Sequence, residues 1–130
     1  RDWGHAQDYI EMQWRMLQQE KPEDYVIATG IQTSVRTFIE ICAKSLGWGG
    51  ILWDGKGVNE VGRRKDNNEI VIKIDSKFFR PAEVDTLLGD PTKALKRLNW
   101  KPKKSLEDLI LEMLENDMTI ASNEQKFLNQ

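Results

Sequence analysis

The sequence predicts a small mixed α/β lobe of about four helices, with short strands and a surface hairpin. Two observations carry this. Apolar residues recur at helical spacing in stretches bounded by caps and stops, clearest over 6–19, 33–46 and beyond Ser105. Between them lie short runs of β-branched and aromatic residues, too sparse for a large sheet. The 130 residues suffice for one small domain with its own core.

Residues 1–4 read as the tail of a strand or loop, and 6–19 as a helix. Ala6, Ile10, Trp14 and Leu17 form one stripe, with Tyr9, Met12 and Met16 beside it. An apolar surface that broad predicts burial on more than one side. Lys21-Pro22-Glu23-Asp24 stops the helix and turns the chain. Tyr25-Val26-Ile27-Ala28-Thr29 has the composition of a strand covered on both faces. Gly30 ends it, and Thr33 or Ser34 caps the next helix. There Val35, Phe38, Ile39, Cys42, Ala43 and Leu46 face inward, and Gly47 is the stop. Cys42 falls on that stripe and reads as a core residue, not a nucleophile.

Residues 48–75 form a small excursion. Ile51-Leu52-Trp53 is a short strand, Val58 to Arg64 a second, and Glu69 to Asp75 a stronger third. Lys65-Asp66-Asn67-Asn68 is the hairpin loop, and Arg63, Arg64 and Lys65 read as its solvated basic spot. Gly55-Lys56-Gly57 is a turn without the third glycine or the strand–helix context of a dinucleotide loop. Leu87-Leu88-Gly89-Asp90 reads as a last strand running into a helix, with Asp90 as N-cap and Pro91 at the first helical position. Ala94, Leu95 and Leu98 face inward there, and Asn99-Trp100-Lys101-Pro102 ends it. Ser105 opens the final helix with Asp108 at the capping-box position. Leu106, Leu109, Ile110, Met113, Leu114 and Asp117 define its stripe, and residues 123–130 read as a frayed polar tail.

Composition narrows the function. A net charge of −2 supplies no field for nucleic acid or anionic membrane, and no apolar run is long enough to span a bilayer. No signal peptide is visible, and the single cysteine fits a reducing compartment, so a cytoplasmic location is expected. One histidine and one cysteine build no zinc site unaided. The chain opens on Arg1, which fits a piece of something longer.

The most informative stretch surrounds Arg80. A residue before proline is held extended, and Pro81 suits the first position of a short helical turn that carries Glu83. Arg80 and Glu83 then share one space. A guanidinium fork takes phosphate oxygens and a carboxylate takes hydroxyls, which suits a phosphorylated sugar. A surface ion pair capping a turn stands as the alternative.

The strings Arg1-Asp2-Trp3-Gly4-His5-Ala6, Val26-Ile27-Ala28-Thr29-Gly30, Phe79-Arg80-Pro81-Ala82-Glu83-Val84, Gly89-Asp90-Pro91-Thr92-Lys93-Ala94 and Leu98-Asn99-Trp100-Lys101-Pro102 resemble the GDP-mannose 4,6-dehydratase family, which belongs to the extended short-chain dehydrogenases/reductases. The similarity covers about residues 1–120. The opening and the Leu-Asn-Trp-Lys-Pro close are shared with sister sugar-nucleotide enzymes; the Arg80 and Asp90 strings are more specific.

The resemblance implies that residues 1–122 are the nucleotide-sugar-binding C-terminal lobe of such an enzyme, without its Rossmann lobe. That absent lobe would bind NADP and carry the catalytic Tyr-x-x-x-Lys, a motif this chain lacks, so no catalytic or cofactor-binding residue is expected here and the piece alone is expected to be inactive. The implied reaction, in the route to GDP-fucose, turns GDP-mannose into GDP-4-keto-6-deoxymannose through transient NADP reduction and loss of water. Carried over by position, Arg1 and Arg80 would hold the GDP diphosphate and Glu83 a ribose or sugar hydroxyl. The implied partners are GDP-mannose, the missing lobe and, for the full-length enzyme, one or three further copies in a dimer or tetramer. Two readings remain beside this one: the same lobe of a GDP-sugar reductase or nucleotide-sugar epimerase, and a non-catalytic nucleotide- or protein-binding module. His5 is expected to make a structural hydrogen bond; for Arg36, which faces away from its apolar stripe, contact with a ligand or a neighbouring lobe stands only as the lesser alternative; and Trp3, Trp14, Trp53 and Trp100 are expected to pack in the core or at a lobe interface.

Overall fold

A computed structural model of the chain describes residues 1–80, 84 and 86–128. Among the described residues, four α-helices and a three-stranded antiparallel sheet make a small mixed α/β fold. The chain forms two compact units, residues 1–34 with 86–130 and residues 35–85.

The first unit contains α1 (Ala6–Leu17), α3 (Thr92–Leu98) and α4 (Leu106–Leu128). Its core is Met12, Ala94, Leu98 and Trp100, with Tyr9, Met16, Tyr25 and Ile27 packed around it. The Trp100 indole donates to the Asp8 carbonyl at 3.0 Å, so its polar atom is satisfied as its rings leave water. Asp8 is the buried carboxylate of this unit. Its Oδ2 accepts from the amides of Lys103 and Lys104, both at 3.0 Å, and so pins the turn between α3 and α4. Arg15 reaches the other end of the same turn and donates to the Leu98 and Asn99 carbonyls at 2.9 and 2.7 Å. That satisfies the orphan C-terminal carbonyls of α3 with a cation where the helix dipole favours one. Asn99 closes α3 in the left-handed region, at φ 48°.

Two helix starts follow the expected chemistry. At α4, Asp108 accepts from the Ser105 amide and hydroxyl while the Ser105 hydroxyl accepts from the Asp108 amide, a complete capping box. At α3, the Asp90 carboxylate accepts from the Thr92 amide at 2.9 Å, and the helix begins one residue after the expected Pro91. His5 is the N-cap of α1: its Nδ1 accepts from the Gln7 amide, and Nε2 faces Glu112 at 3.2 Å. Residues 123–128, expected as part of a frayed tail, are the exposed last turns of α4.

Leu95 and Met113, expected to face inward, are exposed, and the unit departs from expectation in two larger ways. Tyr25–Thr29 and Leu87–Asp90 were expected as strands, and neither pairs into a sheet among the described residues. Both have strand-type sequence, but a strand exists only as a member of a ladder. The other departure is α1. Its buried face is Asp8 and Met12, flanked by Tyr9 and Met16, whereas Ile10, Trp14 and Leu17 of the expected inner stripe are exposed.

The second unit packs α2 (Val35–Ser45) against β1 (Ile51–Asp54), which forms a sheet with β2 (Val61–Arg64) and β3 (Ile70–Lys73) in the order β1-β2-β3. The expected surface hairpin is β2–β3, and β1 extends it into a meander. Ala43 and Ile51 are its buried apolar residues. Beyond the end of α2 the Trp48 amide reaches back to the Ala43 carbonyl at 2.9 Å, with Gly47 at φ 76°, a Schellman-type stop. The second expected strand, Val58 to Arg64, begins only at Val61, since Gly57–Asn59 forms a short 3-10 helix. Gly55 permits it, since a Cβ there would meet the Asn59 carbonyl oxygen at 2.4 Å.

Candidate functional site

The site predicted from sequence consists of Arg1, Arg80 and Glu83, and each is placed differently. Glu83 lies outside the described residues. Arg1 belongs to the first unit and Arg80 to the second, and both side chains are exposed.

Arg1 stands on a clasp that sequence reasoning missed. The Arg1 carbonyl accepts from the Thr33 amide at 2.9 Å, the Arg1 amino group donates to the Thr33 carbonyl at 2.8 Å, and Asp2 bridges to Gln32. Asp2 locks the pairing. Its Oδ1 accepts from the Thr29 amide and hydroxyl at 2.8 and 2.6 Å, and Oδ2 accepts from the Gly30 amide at 2.9 Å. A carboxylate with three donors is held firmly and holds its neighbours firmly. The signal was an acidic residue directly after Arg1 and a Thr-Gly pair ending an apolar run.

Beside the clasp, the extended segments around Ile27 and Leu88 border an open groove of about 400 Å³ that Asp2 and Tyr9 also line. Gly89 lets the segments approach, because a Cβ there would fall 2.3 Å from the Ala28 Cβ. Burial, then the Asp2 and Asp8 carboxylates, push the Tyr9 hydroxyl above its ordinary pKa and keep it neutral.

In the second unit a turn after β3 delivers Arg80. The Asp75 carboxylate accepts from the Lys77 amide at 2.8 Å, and the Phe78 amide bonds the Asp75 carbonyl at 3.0 Å. This Asx turn ends the sheet just ahead of Phe79-Arg80.

Other candidates are engaged within their own unit. Arg36 pairs with Glu60 at 2.5 Å and lies 4.1 Å over the Trp53 ring. Trp53 in turn donates to Glu40 at 2.7 Å. Arg64 makes a two-pronged contact to Asp66 and stacks 4.4 Å over Trp48. The basic spot is thus partly neutralised by its own loop. Cys42 is half-buried and burial raises its thiol pKa, the opposite of an activated nucleophile. Among the described residues no cluster of His, Cys, Asp or Glu could hold a metal ion. No helix among them is long and apolar enough to cross a membrane.

The family model described as GDP-mannose 4,6 dehydratase matches residues 1–113. The chain belongs to the GDP-mannose 4,6 dehydratase family. Curated members agree. GDP-mannose 4,6-dehydratase of Vibrio cholerae is 48% identical over 93% of this chain and 35% of its own length. The human GDP-mannose 4,6 dehydratase is 49% identical over 92% of this chain and 32% of its own. The Dictyostelium discoideum GDP-mannose 4,6 dehydratase is 48% identical over 98% of this chain and 35% of its own. The chain therefore spans about a third of the length of the family members it matches.

Proposed function

We propose that this chain is the nucleotide-sugar-holding part of a GDP-mannose 4,6-dehydratase, an NADP-dependent hydro-lyase of the extended short-chain dehydrogenase/reductase type. Membership of the family over residues 1–113 is the observation that carries it. Residues 1–122 form the substrate lobe, and an upstream Rossmann lobe holds NADP and the catalytic residues. Arg1 and Arg80 grip the two phosphates of GDP-mannose, and Glu83 accepts from a hydroxyl of the ribose or sugar. Two guanidinium forks match a diphosphate in charge and geometry better than two ammonium groups would. The clasp through Asp2 supports this reading, because it holds the Arg1 backbone in one place. The enzyme works in the cytoplasm as a dimer or tetramer, and this piece alone is inactive.

The chemistry divides accordingly. NADP, held by residues of the upstream lobe, would supply the hydride chemistry. The residues of this chain bind and orient; none takes a proton from the sugar. The test is product formation. Joined to the upstream two thirds of the Vibrio cholerae relative, the chain is expected to convert GDP-mannose to a 4-keto-6-deoxy product, while the chain alone gives none. Conversion of another GDP-sugar, with GDP-mannose left untouched, would favour a sister reductase or epimerase.

A further inference from the structure

The last helix outruns its packing. Ile110 is buried and Leu114 half-buried, but over residues 115–128 every residue of α4 is exposed, with Met118 at 58% and Phe127 at 76%. At 1.5 Å per residue that is about 20 Å of helix with no covered face. So short a helical segment is marginal in water unless an apolar face is buried. The apolar face exists. At 100° per residue Leu111, Leu114, Met118, Ala121 and Leu128 fall on one arc of α4, and Met113, Ile120 and Phe127 on a second beside it. Asp117 and Glu124 run as an acidic ridge between the two. The match to the family model ends at residue 113, where the uncovered half of the helix begins.

Charge says what fits this face. Residues 107–125 carry six acidic side chains and no basic one, and residues 92–104 carry the reverse, six basic and no acidic. Three of the basic residues, Lys93, Lys103 and Lys104, pair with Glu23, Glu11 and Glu112 of their own unit. Lys93, Leu95, Lys96 and Arg97 make the outward face of α3, opposite buried Ala94 and Leu98. Among the described residues neither Lys101 beside that face, nor Glu115, Asp117 and Glu124 of α4, makes a salt bridge. Two complementary surfaces on one chain are thus both uncovered.

We infer that the uncovered half of α4 seats on the outward face of α3 in a second copy of this chain. Asp117 and Glu124 meet Lys96 and Lys101 there, and the apolar arcs close over Leu95. Each copy carries both surfaces, so two copies exchange their helix ends about a two-fold axis, with the same contact made in both directions. Two α4 ends pairing with each other fit less well, because their acidic ridges would meet with no base between them. The contact is independent of which ligand the protein holds.

The experiment is sedimentation equilibrium of the 130-residue chain over a concentration series. A dimer is expected, weakening by about tenfold or more between about 50 and about 500 mM salt. Amide exchange across residues 115–128 should slow as the dimer fills. Lys96→Glu with Lys101→Glu, and separately Asp117→Lys with Glu124→Lys, should each abolish dimerisation. An equal mixture of the two variants should restore it, since each α4 end then finds a surface of opposite charge. All four positions are exposed, so the near-ultraviolet circular dichroism to which buried Trp100 contributes should match the parent in both variants. A monomer at every concentration, a dimer indifferent to both variants, a mixture that stays monomeric, or a dimer whose α4 ends still exchange freely would overturn the inference. So would tighter association by Asp117→Lys with Glu124→Lys alone, the mark of two α4 ends paired with each other.

Discussion

Asp8 shows how one side chain can hold a unit together. It is buried, yet the Lys103 and Lys104 amides of the turn between α3 and α4 end on its carboxylate. Asp8→Ala removes an acceptor and leaves those two amides short of a partner, a loss of about 2–4 kcal/mol. Urea unfolding followed by tryptophan fluorescence should show it. Gly89 is a second such position, because an added methyl collides with the Ala28 Cβ and no flexible atom can give way. Gly89→Ala should lose roughly 1–3 kcal/mol in the same measurement. Neither role is legible from one sequence. Asp8 falls beside an apolar stripe where a solvated carboxylate is the ordinary reading, and the partner of Gly89 is distant in the chain. His5 and Cys42 were legible, since a junction histidine caps and a cysteine on an apolar stripe packs.

At the scale of the element, local signals located the helices and failed where the answer depends on a neighbour. The capping box at Ser105 needed only four residues to recognise, and it formed as expected. Ser105→Ala should destabilise α4 by about 1 kcal/mol, read as a lower melting temperature and faster amide exchange in its first turn. The strand-like segments at 25–29 and 87–90 could not be settled this way, because pairing is a property of two segments. The same limit misplaced the inner face of α1. Periodicity finds an apolar stripe but does not say which of two apolar faces meets this core. The three-stranded meander was nearly legible: its hairpin loop at 65–68 was read from the sequence, and only the membership of β1 was added by the structure.

At the scale of the molecule, electrostatics sets an acid limit. Glu11 is held below its ordinary pKa by hydrogen bonds from Lys103 and then Arg15, Glu23 by Lys93, Asp66 by Arg64 and Asp108 by the Ser105 amide and hydroxyl. A carboxylate with a depressed folded pKa adds stability above its unfolded value of about 4, and loses it as pH falls through the folded value. Thermal stability should therefore be level from about pH 5 to 7 and decline below about pH 4, and a rise in stability on acidification would contradict these pairings. Function is the larger question, and the family was legible because short strings such as Gly-Asp-Pro-Thr-Lys-Ala stand within these 130 residues. What was not legible is whether residues so far apart in sequence act on one ligand. The most direct test of the proposed function is a double-mutant cycle for GDP-mannose binding, measured by calorimetry on the chain joined to the upstream two thirds of the Vibrio cholerae relative. If the proposed roles hold, Arg1→Gln and Arg80→Gln should each weaken binding by about thirtyfold, roughly 2 kcal/mol, and the double variant should lose less than the sum, as the proposal assigns both guanidiniums to the same diphosphate. Affinity unchanged by both single variants would contradict the account.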